Sequence, residues 1–180
     1  MKLVARKLSL CVLGSSLALV TVAAAQESHP HAASKPVTAE FKNAEGQSVG
    51  TATLSDTGHG VKIKLDVKGL PPGDHSIHIH QTAKCEAPDF KSAGPHFSPA
   101  SAAAHDHSTA PAGDIPDFML IIAADGTAHV SVVAPNVTMG DEPNSVFSNG
   151  GTSIVIHAVA APGSAGSPAR IACAVVKKAE

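Results

Sequence analysis

Residues 73–80 read Gly-Asp-His-Ser-Ile-His-Ile-His, and the last four alternate an apolar side chain with an imidazole. In a β-strand residues i and i+2 share a face. His78 and His80 then stand side by side on one face, with Ile77 and Ile79 on the other and His75 two residues earlier. Two imidazoles at this spacing supply half of a square-planar set, the geometry Cu(II) favours. The same pattern also describes a half-buried strand with exposed histidines, so the decision rests on what the rest of the chain brings to this strand.

Positioning such a strand requires a sheet, and the sequence supplies one. Val37, Ala39 and Phe41 alternate with Thr38, Glu40 and Lys42. A second run, Thr51-Ala52-Thr53-Leu54, follows a turn at Glu45-Gly46. The third is the clearest, with Val61, Ile63, Leu65 and Val67 set against Lys62, Lys64, Asp66 and Lys68. Gly-Leu-Pro-Pro-Gly at 69–73 reads as a turn into the histidine strand. Residues 81–117 carry no sustained period, and a long loop of that kind inside a domain is usually functional. Strand signals return at 118–123, at 128–133 after the turn Asp125-Gly126, at 152–159 and at 170–176. About eight short strands with Gly/Pro turns and no amphipathic helix predict an all-β antiparallel sandwich or barrel.

The first 25 residues predict a secretory signal. Lys2, Arg6 and Lys7 precede an apolar run from Leu8 to Ala25 that ends in small residues. An uncleaved anchor is the competing reading, but Gly14, Ser15 and Ser16 interrupt the run. Cys11 lies inside it and leaves with it. Residues 26–36 are polar, contain His29 and His31, and read as a disordered tail, leaving one domain over 37–180. A chain of ~150 residues buries about 70% of its unfolded surface. Loss of the three basic residues leaves 10 basic against 15 acidic side chains, a formal charge of −5. That balance excludes a basic nucleic-acid surface, and with the signal removed no membrane span remains. An exported chain of this kind belongs in the periplasm or outside the cell. Its remaining pair of cysteines, Cys85 and Cys173, reads as a disulfide; two zinc thiolates are the alternative, although the close Cys-x-x-Cys spacing is lacking.

Two further histidines sit in distinctive surroundings. His96 lies in Ser-Ala-Gly-Pro-His-Phe-Ser-Pro in the long loop, and His157 in Ser-Ile-Val-Ile-His-Ala in a late strand. Gly113-Asp114 closes the loop, and Ala-Arg-Ile-Ala-Cys opens the last strand at 169–173. With HSIHIH, these motifs in this order resemble the copper–zinc superoxide dismutase family over most of residues 37–178. The resemblance implies a Greek-key antiparallel β-barrel with a long metal-binding loop. It implies copper at His78, His80, His96 and His157, with His96 also bridging to zinc. It implies that Cys85 and Cys173 tie the loop to the barrel and that Arg170 stands beside the copper to guide the anion. His75 matches a structural histidine that is not a ligand, and homodimers are common in the family.

The chemistry of the residues agrees with that resemblance. Disproportionation of superoxide needs a metal that cycles by one electron, and imidazoles suit copper in both states. A negative chain needs a local positive group to attract an anion, and Arg170 is the sole arginine after Arg6.

The sequence departs from the family pattern in two places. Pro111 stands where a zinc histidine is expected, while His105 and His107 lie upstream. A set of His96, His105, His107 and Asp114 would be tetrahedral zinc chemistry; a solvated His-Asp-His run is the alternative. After His157 the chain runs Ala-Val-Ala-Ala-Pro, with no carboxylate where the family places an Asp pair, and the segment to Arg170 is short. Loss of such an orienting partner weakens metal affinity or activity by ~10–100-fold. These departures lean toward the copper-only branch. Two functions follow: an antioxidant superoxide dismutase, or a dismutase-like copper storage or delivery protein with little turnover. The histidine tail and missing carboxylate favour storage. Arg170 and a bridging His96 favour the enzyme.

Overall fold

A computed structural model describes residues 34–99, 110–159 and 168–179. The expected signal segment, His29, His31, His105 and His107 lie outside the described residues. Among the described residues there are nine strands: β1 Val37–Asn43, β2 Ser48–Asp56, β3 Val61–Val67, β4 Gly73–His75, β5 Ile77–His80, β6 Leu120–Ile122, β7 Ala128–Ala134, β8 Thr152–His157 and β9 Arg170–Val176. All pairings between these strands are antiparallel. Seven form one sheet in the order β5-β8-β9-β1-β2-β3-β7, and β4 pairs with β6 in a second. The chain thus builds the meander β1-β2-β3, adds β7 beside β3, and returns with β9 beside β1, which gives the order β9-β1-β2-β3 of a Greek key. The expected all-β antiparallel architecture is the observed one.

The histidine strand differs from the expectation of one continuous run. It breaks at Ser76 into β4 and β5, which belong to different sheets. β4 pairs with β6, and one residue later β5 pairs with β8. The Ser76 carbonyl accepts from the His157 amide at 2.9 Å, which begins the new ladder. Burial still alternates across the break, at His75, Ile77 and Ile79, while the partner strand changes.

Alternation decides which face meets the core. β3 is buried at Val61, Ile63, Leu65 and Val67 and exposed between them. β5 sends Ile77 and Ile79 into the same core as Ile154 and Ile156 of β8. β8 departs from alternation, being buried at all six positions, because both of its faces are covered. Its inner face packs on the barrel core. On its outer face, Val155 forms a smaller cluster with Phe90, Ala93 and Cys173, against which Cys85 packs. The Cys85–Cys173 disulfide, with Cα atoms 5.6 Å apart, ties the long loop to β9 as the family pattern implied.

The free edge of β5 captures the two ends of the long loop. The Phe97 amide donates to Ile79 O at 2.8 Å, the Ile79 amide to Gly113 O at 2.9 Å, and the Gly113 amide to Phe97 O at 2.9 Å. Isolated bridges link His80 to His96 and His78 to Asp114. Phe97 and Ile115 are buried in the core, so their neighbours His96 and Asp114 face the other way. Gly113 allows this close approach, since a Cβ there would run into the carbonyl of Ile79 and the backbone nitrogen of Phe97. Gly113→Ala is therefore expected to cost about 1–3 kcal/mol, roughly 2–10 °C in Tm for a domain of this size, as read by thermal unfolding.

Candidate metal centre

Strand register brings the histidines together. His78 lies opposite Val155 and His80 opposite Ser153 on the β5–β8 ladder, so both rings share the outer face with His157. His157 pairs with Arg170 across β8–β9, beyond a register shift at Ile156/His157. The loop captured by the β5 edge adds His96. One nitrogen from each of His78, His80, His96 and His157 lies within 4.8 Å of the other three. The His78 and His96 rings stack at 4.1 Å, while the His80 and His96 centroids are 4.9 Å apart and edge-on. His80 and His157 are buried, and His78 and His96 are half-buried.

Backbone carbonyls set the ring orientations. His80 Nδ1 donates to Gly94 O at 2.8 Å and His157 Nδ1 to Pro168 O at 3.3 Å, which assigns the proton in each neutral ring to Nδ1. The two Nε2 atoms then meet at 3.2 Å, each presenting a lone pair. That contact is repulsive without a cation between them. His78 Nδ1 is shielded from solvent and makes no hydrogen bond. His96 Nδ1 hydrogen-bonds Asp114 Oδ1 at 2.6 Å, which leaves its Nε2 free. Two opposed lone pairs and an orphaned buried nitrogen fit a soft-to-borderline cation that accepts imidazole nitrogen.

Electrostatics keeps these rings ready to ligate. Burial first, then the neighbouring His96 and His157, pushes the His78 pKa down to about 4. Burial lowers His80 to about 3, against the opposing pull of the Gly94 hydrogen bond, and Arg170 adds to the lowering. Burial also lowers His157, with His96 and Arg170 contributing. The rings are therefore neutral ligands at neutral pH, and the charge of Arg170 is felt at two of them.

Arg170 is half-buried and held by the loop. Its Nη1 donates to Phe90 O at 2.7 Å and its Nη2 to Gly94 O at 2.8 Å. Gly94 O thus receives both the guanidinium and His80. Reading motifs alone missed Phe90, Gly94 and Pro168, because they act through backbone carbonyls that any residue type carries. The one clue was that Gly94 lies two residues before His96 in the loop motif. His75 stands apart from the four: Nδ1 faces His157 O and Nε2 faces Pro71 O, each at 2.8 Å. It braces the backbone beneath His157, as the family pattern implied. Of the expected zinc set, His96 and Asp114 are in contact, while His105 and His107 lie outside the described residues.

An all-β barrel with four imidazoles gathered on its outer face defines a His-rich metalloprotein of the superoxide dismutase type. The family model for copper/zinc superoxide dismutase matches residues 48–176, and the chain belongs to that family. A Cu-Zn superoxide dismutase of Caulobacter vibrioides is 38% identical over 152 residues, covering 78% of this chain and 84% of that protein. One from Aquifex aeolicus is 38% identical over 176 residues, covering 92% of this chain and 96% of its own. Among solved structures, a SOD-like protein from Bacillus subtilis has a TM-score of 0.65 at 30% identity, covering 77% of this chain and 96% of its own. The monomeric copper, zinc superoxide dismutase from Salmonella enterica has a TM-score of 0.58 at 28% identity, covering 79% of this chain and all of its own.

The lowered histidines make metal-stripped protein acid-sensitive. A group whose pKa is depressed by folding contributes stability that is present above its unfolded value and lost as pH falls through its folded value. For His78 and His80 that window runs from the ordinary 6.5 down to about 4 and about 3. Denaturant midpoints of the stripped protein are expected to fall across this range. His78→Gln should flatten the upper part of the slope.

Proposed function

We propose that this chain disproportionates superoxide to dioxygen and hydrogen peroxide at copper held by His78, His80, His96 and His157. The carrying observation is the convergence of four imidazoles, each with a nitrogen within 4.8 Å of the others, together with a buried, unpartnered Nδ1 on His78. Copper bound by this set would supply the one-electron shuttle that the reaction needs. The protein's own groups do the rest. Carbonyls fix two of the rings, so binding demands little reorganisation. His96 offers Nε2 to the site and Nδ1 to Asp114, so it can hold or release a proton at Nε2 while Asp114 keeps the ring in place. Arg170 carries positive charge beside His80 and His157, the local attraction an anionic substrate needs on a chain of formal charge −5.

Asp114 and His96 form half of a zinc site, and we assign the other half to His105 and His107 in place of a ligand at Pro111. The −2 charge of the whole sequence and the −5 of its mature part give no basis for nucleic-acid binding. No described helix is long and apolar enough to cross a membrane. The signal-like first 25 residues and the disulfide support an exported protein of a single barrel domain, in the periplasm for a bacterium. Copper storage without turnover would need neither a clamped arginine nor a carboxylate on the fourth imidazole, so these two features favour the enzyme.

Direct measurement of superoxide decay by the copper-loaded protein tests this reading; stoichiometric copper without fast decay would overturn it. His157→Ala is expected to abolish copper-dependent decay, and retention of full activity would remove His157 from the ligand set. In a separate test of zinc, changing both His105 and His107 to alanine should lower bound zinc by at least about tenfold at limiting metal, by analogy with loss of a ligand partner. Unchanged zinc, measured by elemental analysis, would reject that set.

A further inference from the structure

Phe90 adopts a backbone conformation that its side chain does not favour. Its φ is 52° and ψ is 24°, in the left-handed region. Among the described residues the other non-glycine positions with positive φ are Asp117 and Asn149, two types that tolerate this region. A bulky aromatic does not, so the surroundings of Phe90 must over-determine it.

Those surroundings are visible on three sides. The ring is fully buried in the small cluster with Ala93, Val155 and Cys173, against the disulfide partner Cys85. The Phe90 amide donates to Glu86 O at 3.1 Å. Its carbonyl accepts from the Ala93 amide at 3.1 Å and from Arg170 Nη1 at 2.7 Å. The left-handed residue starts a single 3-10 turn, Lys91–Ala93, and Gly94 ends it. The guanidinium therefore spans the turn, with one nitrogen on the carbonyl before it and one on the carbonyl after it. Fixing a planar guanidinium at two points sets its plane and leaves its other N–H donors for an anion.

We propose that Phe90 is a positioning residue: its ring, anchored beside the disulfide, holds the left-handed turn whose carbonyl aims Arg170 at the incoming anion. This rests on the reading of Arg170 as the anion-attracting group. The ring packs in the cluster of Ala93, Val155 and Cys173, and it acts through the guanidinium that the Phe90 carbonyl holds. The sequence departs from a simple structural filler here, because a residue needed only for packing would sit in an ordinary backbone conformation.

The test uses copper-loaded protein and azide as an anion probe, titrated by the visible spectrum of the Cu(II) form. Phe90→Gly accepts the left-handed backbone and removes the anchor. It is expected to retain stoichiometric copper and to weaken azide binding about tenfold, with the same loss for Arg170→Gln. The double variant should bind azide no more weakly than Arg170→Gln alone, since the two act as one unit. Phe90→Leu, which keeps an apolar anchor, should recover affinity to within about twofold of the parent, and it also reports should the glycine variant fail to fold. Additive losses in the double variant would overturn the proposal, as would a loss in Phe90→Leu equal to that of Arg170→Gln, or unchanged azide binding in a folded Phe90→Gly. If Arg170→Gln itself leaves azide binding and its salt dependence unchanged, the anion role of Arg170 falls and takes this proposal with it. Loss in Arg170→Gln without loss in Phe90→Gly removes Phe90 alone.

Discussion

The β5–β8 ladder must satisfy two different solvents at once. Ile77, Ile79, Ile154 and Ile156 press one face into the barrel core, and that burial sets the register. A slip of one residue would bury the imidazoles and expose the isoleucines. The apolar pattern therefore places His78, His80 and His157 on the outer face before any metal is involved. Hydrophobic burial, not ligand affinity, positions three of the four rings.

The outer face would be open to water without its cover. The long loop provides one, fastened by the disulfide, by the ring of Phe90, and by main-chain bonds along the β5 edge. This cover delivers His96 and Asp114 and supplies Gly94 O, the carbonyl that orients His80 and shares Arg170. It also removes water from the rings, and desolvation is the largest cause of their lowered pKa values. Burial that keeps imidazoles neutral and a guanidinium that stays charged are complementary, since a neutral ring is free to accept a cation and a fixed positive charge favours an anion.

The absence of a carboxylate after His157 takes on a definite meaning in the folded chain. Its ring is oriented by Pro168 O at 3.3 Å, a longer bond than the 2.8 Å from His80 to Gly94 O. A neutral carbonyl holds a ring more weakly than a carboxylate does. Of the two rings oriented by carbonyls, His157 therefore has the looser bond, although its amide and carbonyl are fixed by Ser76 and His75.

Much of this was legible beforehand. Alternation gave β3 its start and its buried face, the strand signal at 170–176 gave β9 its limits, and the isoleucine–histidine alternation gave the two faces of β5. The even pair Cys85 and Cys173, without a close Cys-x-x-Cys spacing, pointed to the disulfide. The break at Ser76 was not legible, because both halves are extended and only the distant partners β6 and β8 differ. Nor was the hold on Arg170: it is made by carbonyls, which every residue has, and by a left-handed Phe90 that no propensity would place there.

Residue order alone determined which side chains could ligate, which faces they shared within each strand, and which sign of charge the substrate would meet. These are local properties, carried by side-chain type and a period of two. Tertiary structure decided that four rings separated by up to 79 positions point their nitrogens at one place. It decided which nitrogens of His80 and His157 are free and which carbonyls hold the arginine. Those outcomes depend on strand partners and on backbone carbonyls brought near by folding, and neither leaves a mark on the identity of the residues involved.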